Sequence, residues 1–166
     1  METITVIAEE KKEKYKELYP QLEALVGDER DLIANMANIS AALKATFPVF
    51  SWVGFYRMQK GELVLGPFQG KVACVRIKIG NGVCGTAAKE GRTIIVPDVD
   101  RFPGHIACDP ESRSEIVVPL ISSGHLLGVF DVDSDKLNSF DEIDRFYLEK
   151  IAEIISQKIY KSNTEN

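Results

Sequence analysis

Long apolar runs are missing from this chain. None approaches the roughly 18 residues needed to cross a bilayer, so no membrane span and no membrane partner are expected. Excess positive charge is missing too. Lys and Arg total 20 against 25 Asp and Glu, a formal net charge of -5. That is the wrong sign for a phosphate backbone, so no nucleic acid is expected as a partner. Met1-Glu2-Thr3-Ile4-Thr5-Val6 has no basic stretch leading into an apolar core, so no secretory leader is expected. Cysteine is scarce and odd in number, three in 166 residues. A secreted disulfide framework favours an even count in a shorter chain, and a reducing, cytoplasmic setting fits better. No internal repeat or interdomain linker is visible. With 45% hydrophobic content, residues 1–166 read as one domain, large enough to bury roughly 70% of the surface its unfolded chain would expose.

What is present divides into helical ends and a strand-rich middle. Residues 9–26 place Tyr15, Leu18, Tyr19, Leu22, Leu25 and Val26 at helical spacing, with Pro20 expected to kink or split the helix. Asp28 is expected to cap a second helix, with Leu32, Met36, Ile39 and Leu43 as its apolar side, ending before Pro48. Strands are expected over 49–57, 62–65, 72–79, 93–96, 115–121 and 125–133, with Gly66-Pro67-Phe68-Gln69-Gly70 as a turn-rich connection. Alternation in 72–79 puts Cys74 on the side away from Ala73, Val75, Ile77 and Ile79. A short helix is expected over 86–90. Pro119 marks its strand as an edge or as bulged. Ser139 and Glu142 have the spacing of a capping box for a last helix running to about residue 160, with Ile143, Phe146, Tyr147, Ile151, Ile154 and Ile155 on its buried stripe. The fold class is therefore α+β: a largely antiparallel sheet of about six strands, with N- and C-terminal helices packed on one face. The amphipathic end helices also offer a face for a homodimer.

Residues 98–114 show neither helical nor strand period, and an irregular loop of that length is usually functional. It carries His105, Cys108 and several acids. Cys108 is the candidate nucleophile, because loops are surface features and an inert buried thiol does not suit that position. Cys74 and Cys84 lie upstream and are expected to serve or support it. Gly80-Asn81-Gly82-Val83-Cys84-Gly85 matches the dinucleotide fingerprint G-x-G-x-x-G, but its helix is too short and the chain lacks strand–helix repeats. The glycines instead allow a tight turn, leaving Cys84 near a helix N-terminus that favours a thiolate. Cys74, Cys84, His105 and Cys108 have the residue types of a zinc site, but the first two are too far apart for a C-x2-C knuckle, and no metal is expected. A nucleophile–base pair of Cys108 and His105 cannot be read from residues three apart in an irregular loop.

Asp131 and Asp133 share one strand face with Val129, while Phe130 and Val132 share the other. They read either as an exposed strand end or as a cluster that binds an ammonium group, with Glu115 able to join and one acid kept protonated by its neighbours. Trp52, Gly54 and Tyr56 share a face, and Gly54 leaves a gap between two aromatics that reads as a pocket floored by backbone.

Several stretches together resemble a GAF domain and, within that fold, the free methionine-R-sulfoxide reductases. They are Ser51-Trp52-Val53-Gly54-Phe55-Tyr56, the run 65–76 with Cys74, Gly80-Asn81-Gly82-Val83-Cys84-Gly85, Gly104-His105-Ile106-Ala107-Cys108-Asp109, the run 114–120 with Glu115, and the run 128–134 with Asp131 and Asp133. The likeness covers roughly residues 34–155. It implies that Cys108 attacks the sulfur of free methionine sulfoxide. Glu115, Asp131 and Asp133 would share proton donation and the grip on the substrate ammonium, and Trp52 and Tyr56 would wall the S-methyl pocket. The family points to Cys74 as the thiol that resolves the sulfenic acid, with Cys84 as the competitor, and to thioredoxin as reductant. No cofactor or metal is implied. A GAF domain alone also fits a non-enzymatic sensor of a small ligand, with cysteines as redox switches.

Overall fold

The computed structural model describes residues 3–106 and 108–164. Ala107 of the long loop lies outside the described residues. The elements in order are α1 Lys11–Val26, α2 Leu32–Thr46, β1 Trp52–Gln59, β2 Glu62–Gln69, β3 Arg76–Lys78, α3 Gly82–Glu90, β4 Ile94–Val96, β5 Ser114–Ser122, β6 His125–Ser134 and α4 Glu142–Thr164. The six strands form one antiparallel sheet in the order β3-β2-β1-β6-β5-β4. The α+β architecture is as the sequence predicts. β3 and β4 lie on opposite edges, so the chain between them has to cross the sheet. α3 does so, packing against β3, β4, β5 and β6.

Alternation along the strands separates two cores. Val53, Phe55, Ile116, Val118, Leu120, Phe130 and Val132 meet α1, α2 and α4. Trp52, Tyr56, Val117 and Val129 point the other way, toward Val83, Cys84 and Ala87 of α3. Asp144, fully buried in α4, ties α1 to this frame by accepting from Lys11 Nζ at 2.6 Å and Tyr15 Oη at 2.8 Å.

Several expectations move. α1 runs through Pro20 without splitting, because Pro20 is exposed and the one intrahelical bond its ring forgoes faces water. The cap of α2 is Asp31, which accepts from Ala34 N at 2.9 Å, rather than Asp28. β2 continues through Gly66-Pro67-Phe68-Gln69, where Gly54 pairs with Phe68. β3 pairs only with residues 62–64, so Pro67 interrupts no ladder. The expected strand at 72–79 shrinks to Arg76–Lys78, and Val75 is 65% exposed. The paired register stops at Val64 and Arg76, with one further bond from Leu65 N to Val75 O at 3.0 Å, although β2 itself runs on to Gln69. α3 begins at Gly82, four residues before the expected start. β5 is not an edge strand but lies between β6 and β4. Pro119 is tolerated because β4 pairs only with residues 115–117, and the expected bulge is present beside it, where the β5–β6 register shifts at Leu120/Ile121. At the start of α4, Asp141 Oδ1 accepts from Ile143 N at 2.8 Å, and Asp144 Oδ2 accepts from Asp141 N at 2.9 Å. The reciprocal box is thus Asp141/Asp144 rather than Ser139/Glu142, whereas Ser139 Oγ turns to Ser134 Oγ. α4 continues to Thr164, past the expected end near residue 160. Phe146 is 56% exposed, and Leu148 and Ala152 take its place on the buried stripe.

Candidate active site

Cross-strand register assembles the acids and aromatics from distant parts of the sequence. Trp52 sits opposite Asp133, and Asp133 opposite Glu115, in one row across β1, β6 and β5. Gly54, Asp131 and Val117 form the next row. Partners in a ladder share a face, so Trp52, Glu115, Asp131 and Asp133 project to the side covered by α3. The reading of the two aspartates as an exposed strand end is overturned: Asp131 and Glu115 are each only 6% exposed.

These side chains line a cavity of ≈ 50 Å³ together with Tyr56, Cys84, His105, Cys108 and Ser112. Among the described residues, its lining contains no lysine or arginine. Burial pushes the Glu115 and Asp131 carboxyls well above the ordinary carboxylate range, and the negative charge of their neighbours adds to it. The proximity of the two groups raises Glu115 further and restrains Asp131. Asp133 is raised to about 6, burial again being the main cause. It is restrained by the Ser112 hydroxyl, which donates to its Oδ1 at 2.6 Å. Asp131 Oδ1 has no hydrogen-bond partner among the described residues.

The gap above Gly54 is filled. The Trp52 ring lies over it, and a Cβ on Gly54 would stand 2.5 Å from Trp52 Cη2 and 2.4 Å from Phe68 Cβ. Trp52 stacks on Phe68 at 5.2 Å, and its Nε1 donates to Lys71 O at 3.1 Å. Tyr56 Oη donates to Cys74 O at 3.0 Å. The two aromatics therefore wall the cavity and also pin the irregular segment that carries Cys74.

Cys74 and Cys108 are joined in a disulfide, with Cα atoms 5.5 Å apart. Cys84 is free and buried, and its Sγ stands 3.9 Å from Glu115 Oε1. Of the two candidates for the thiol next to Cys108, the structure pairs Cys74. The expectation of a thiolate at Cys84 is corrected. Burial, followed by the charges of Asp131 and Glu115, pushes its thiol well above the ordinary range and outweighs the helix N-terminus. His105 lines the cavity, but the Cys108 sulfur is bonded to Cys74, and burial lowers the His105 pKa. Ser112 escaped the sequence reading. Nothing in the loop separates it from Ser114, whose hydroxyl is spent on Lys136 O at 2.6 Å. Lys71 links the two segments that carry the disulfide, by ion pairs to Glu111 and, at 3.7 Å, to Asp109.

A family profile described as GAF domain matches residues 28–159. The chain is 58% identical over 146 residues to "GAF domain-containing protein A" of Dictyostelium discoideum, covering 87% of this chain and 92% of that protein. It is 46% identical over 155 residues to the Saccharomyces cerevisiae free methionine-R-sulfoxide reductase, covering 89% of this chain and 86% of that one. A solved structure of free methionine-R-sulfoxide reductase from Neisseria meningitidis, in complex with its substrate, superposes with a TM-score of 0.96 at 48% identity, covering 100% of both chains. This chain thus belongs to the GAF domain family, among relatives that include free methionine-R-sulfoxide reductases.

Proposed function

We propose that the chain reduces free L-methionine-(R)-S-oxide to methionine in a reducing, cytoplasmic setting. The observation that carries this reading is the meeting, in one cavity, of Cys108, which is paired to Cys74, with Glu115, Asp131 and Asp133, and with no lysine or arginine among the described lining residues. The names of the yeast and Neisseria relatives supply the substrate and its sulfur configuration.

In the reduced form the Cys108 thiolate attacks the sulfoxide sulfur. Glu115, kept protonated by burial and by Asp131, gives its proton to the sulfoxide oxygen. The protonated oxygen then passes to the Cys108 sulfur as the substrate's S–O bond and the transient Cys108–substrate S–S bond break, so methionine leaves as the thioether and Cys108 is left as the sulfenic acid. The Cys74 thiol displaces water from that sulfenic acid and forms the disulfide seen here. A dithiol of the thioredoxin class returns both thiols by exchange. Asp131 and Asp133 receive the substrate ammonium, which meets the unpartnered Asp131 Oδ1. Trp52 and Tyr56 enclose the S-methyl end. Loop 98–114 moves between the two forms, since Cys108 has to leave Cys74 to face the substrate. Cys84 is a buried neighbour of the acids and not the resolving thiol.

A site built for a buried positive charge rejects a ligand that lacks it. With dithiothreitol as reductant, free methionine-R-sulfoxide yields methionine, while its N-acetyl derivative reacts slower by on the order of 10³-fold. Equal rates on both would remove the ammonium role. No methionine from either would overturn the enzyme reading and put the ligand sensor first.

A further inference from the structure

The proposed reaction leaves Cys84 without a task, yet its surroundings are specific. Cys84 Sγ, a Glu115 carboxylate oxygen and an Asp131 carboxylate oxygen all lie within 4.8 Å of one another, on three buried residues. They come from α3, β5 and β6 and converge on the same cavity. Asp131 Oδ1 lacks a hydrogen-bond partner among the described residues on a side chain that is 94% buried, being 6% exposed. A buried acceptor left open is costly, so it calls for a donor or a cation. A substrate ammonium accounts for the open oxygen. It does not account for the thiol, which is only a weak hydrogen-bond partner.

One sulfur and two carboxylates suit a cation of borderline softness. Zinc takes cysteine sulfur at about 2.3 Å and carboxylate oxygen at about 2.0–2.2 Å, in tetrahedral sets. In such a set sulfur and oxygen stand roughly 3.5 Å apart, and Cys84 Sγ is already 3.9 Å from Glu115 Oε1. Magnesium and calcium are disfavoured because they take six or more oxygens and no thiolate. Asp133 is held aside by Ser112, so it is not counted among the ligands. The bound ion would displace the thiol proton and the Glu115 carboxyl proton to solvent.

We propose that Cys84, Glu115 and Asp131 form a binding site for a zinc-class divalent cation, with its fourth position open to the cavity. The ion and the substrate ammonium would compete for the same two carboxylates, so the cation acts as an inhibitor that excludes substrate. The competition rests on the function proposed above, but the binding site does not.

The oxidised protein is the best test material, because the Cys74–Cys108 disulfide leaves Cys84 as its free thiol. Cobalt(II) added to chelator-stripped oxidised protein should give a thiolate-to-cobalt charge-transfer band and saturate at one ion per chain. Zinc should bleach the band. Cys84→Ser should abolish it, and Asp131→Asn should weaken cobalt binding by at least about tenfold, with circular dichroism showing each variant folded. No band in folded wild-type protein would overturn the proposal. So would a band whose affinity is unchanged in both Asp131→Asn and Glu115→Gln. Free methionine sulfoxide added to cobalt-loaded Cys108→Ser protein, which cannot turn over, should displace the ion. Retained cobalt would count against the ammonium role of the acids and not against the cation site.

Discussion

Phe130 and Asp131 are neighbours in β6, yet they belong to different chemical worlds. Phe130 stacks on Phe55 at 4.6 Å and meets the three-helix side. Asp131 is also buried, but it faces a second acid and a thiol under α3, and its own Oδ1 has no hydrogen-bond partner among the described residues. The helix face is closed by complementary apolar packing. The α3 face gathers acids with no lysine or arginine among the described cavity-lining residues, an arrangement that costs stability and that the proposed function explains by a substrate ammonium. The period of two in a strand lets one short sequence serve both needs.

The contrast breaks most sharply at the sulfur. Cys108→Ser should lower turnover by on the order of 10⁴-fold or more, measured as methionine released per folded chain, as expected when a nucleophile is removed. Unchanged turnover would remove Cys108 from the chemistry. On the opposite face, Phe130→Ala should destabilise by about 3–5 kcal/mol in urea unfolding, with the substrate KM of the folded fraction nearly unchanged. Its neighbour should do the reverse. Asp131→Asn should raise KM by a factor of about 10–100, the worth of a hydrogen bond to a charge, without lowering the urea midpoint. A large stability loss in that variant would make Asp131 a structural acid.

Titration sharpens the comparison further. Asp133 rises from 3.8 to about 6 on folding. Between those values the folded protein holds a proton that the unfolded chain has released, so stability falls as pH rises through that window. Asp133→Asn should flatten that part of the stability–pH curve, whereas Ser112→Ala, by removing the donor to Asp133, should move its upper end to higher pH. The smallest effect belongs to the exposed ion pairs of Lys71. Lys71→Ala should slow disulfide formation by no more than about fivefold, because such pairs contribute at most about 1 kcal/mol.

The face assignments were legible in the sequence because alternation is a local property. Trp52 with Tyr56, and Asp131 with Asp133, fall on one side wherever the strand lies. Which strands become neighbours is not local. Glu115 meets Asp133 only because β5 returns beside β6, and that register made an apparent strand end into a buried cluster. Cys74 was misjudged for a related reason: the alternation around it persists where β2 offers no pairing, so its segment is irregular and is held by Tyr56. Cys84 shows the third limit. Its place near a helix start was readable, but the acids that overrule the helix come from β5 and β6. The caps at Asp31 and Asp141 differ from the expected ones because several acids compete at each helix start, and only the turn geometry selects among them.

The most direct test is a thiol count on fully reduced, metal-free protein before and after free L-methionine-R-sulfoxide is added without reductant. Two of the three thiols should disappear as one methionine forms per chain, and peptide mapping should find Cys74 joined to Cys108 with Cys84 still free. No thiol loss and no methionine, or a disulfide that includes Cys84, would contradict the proposed chemistry.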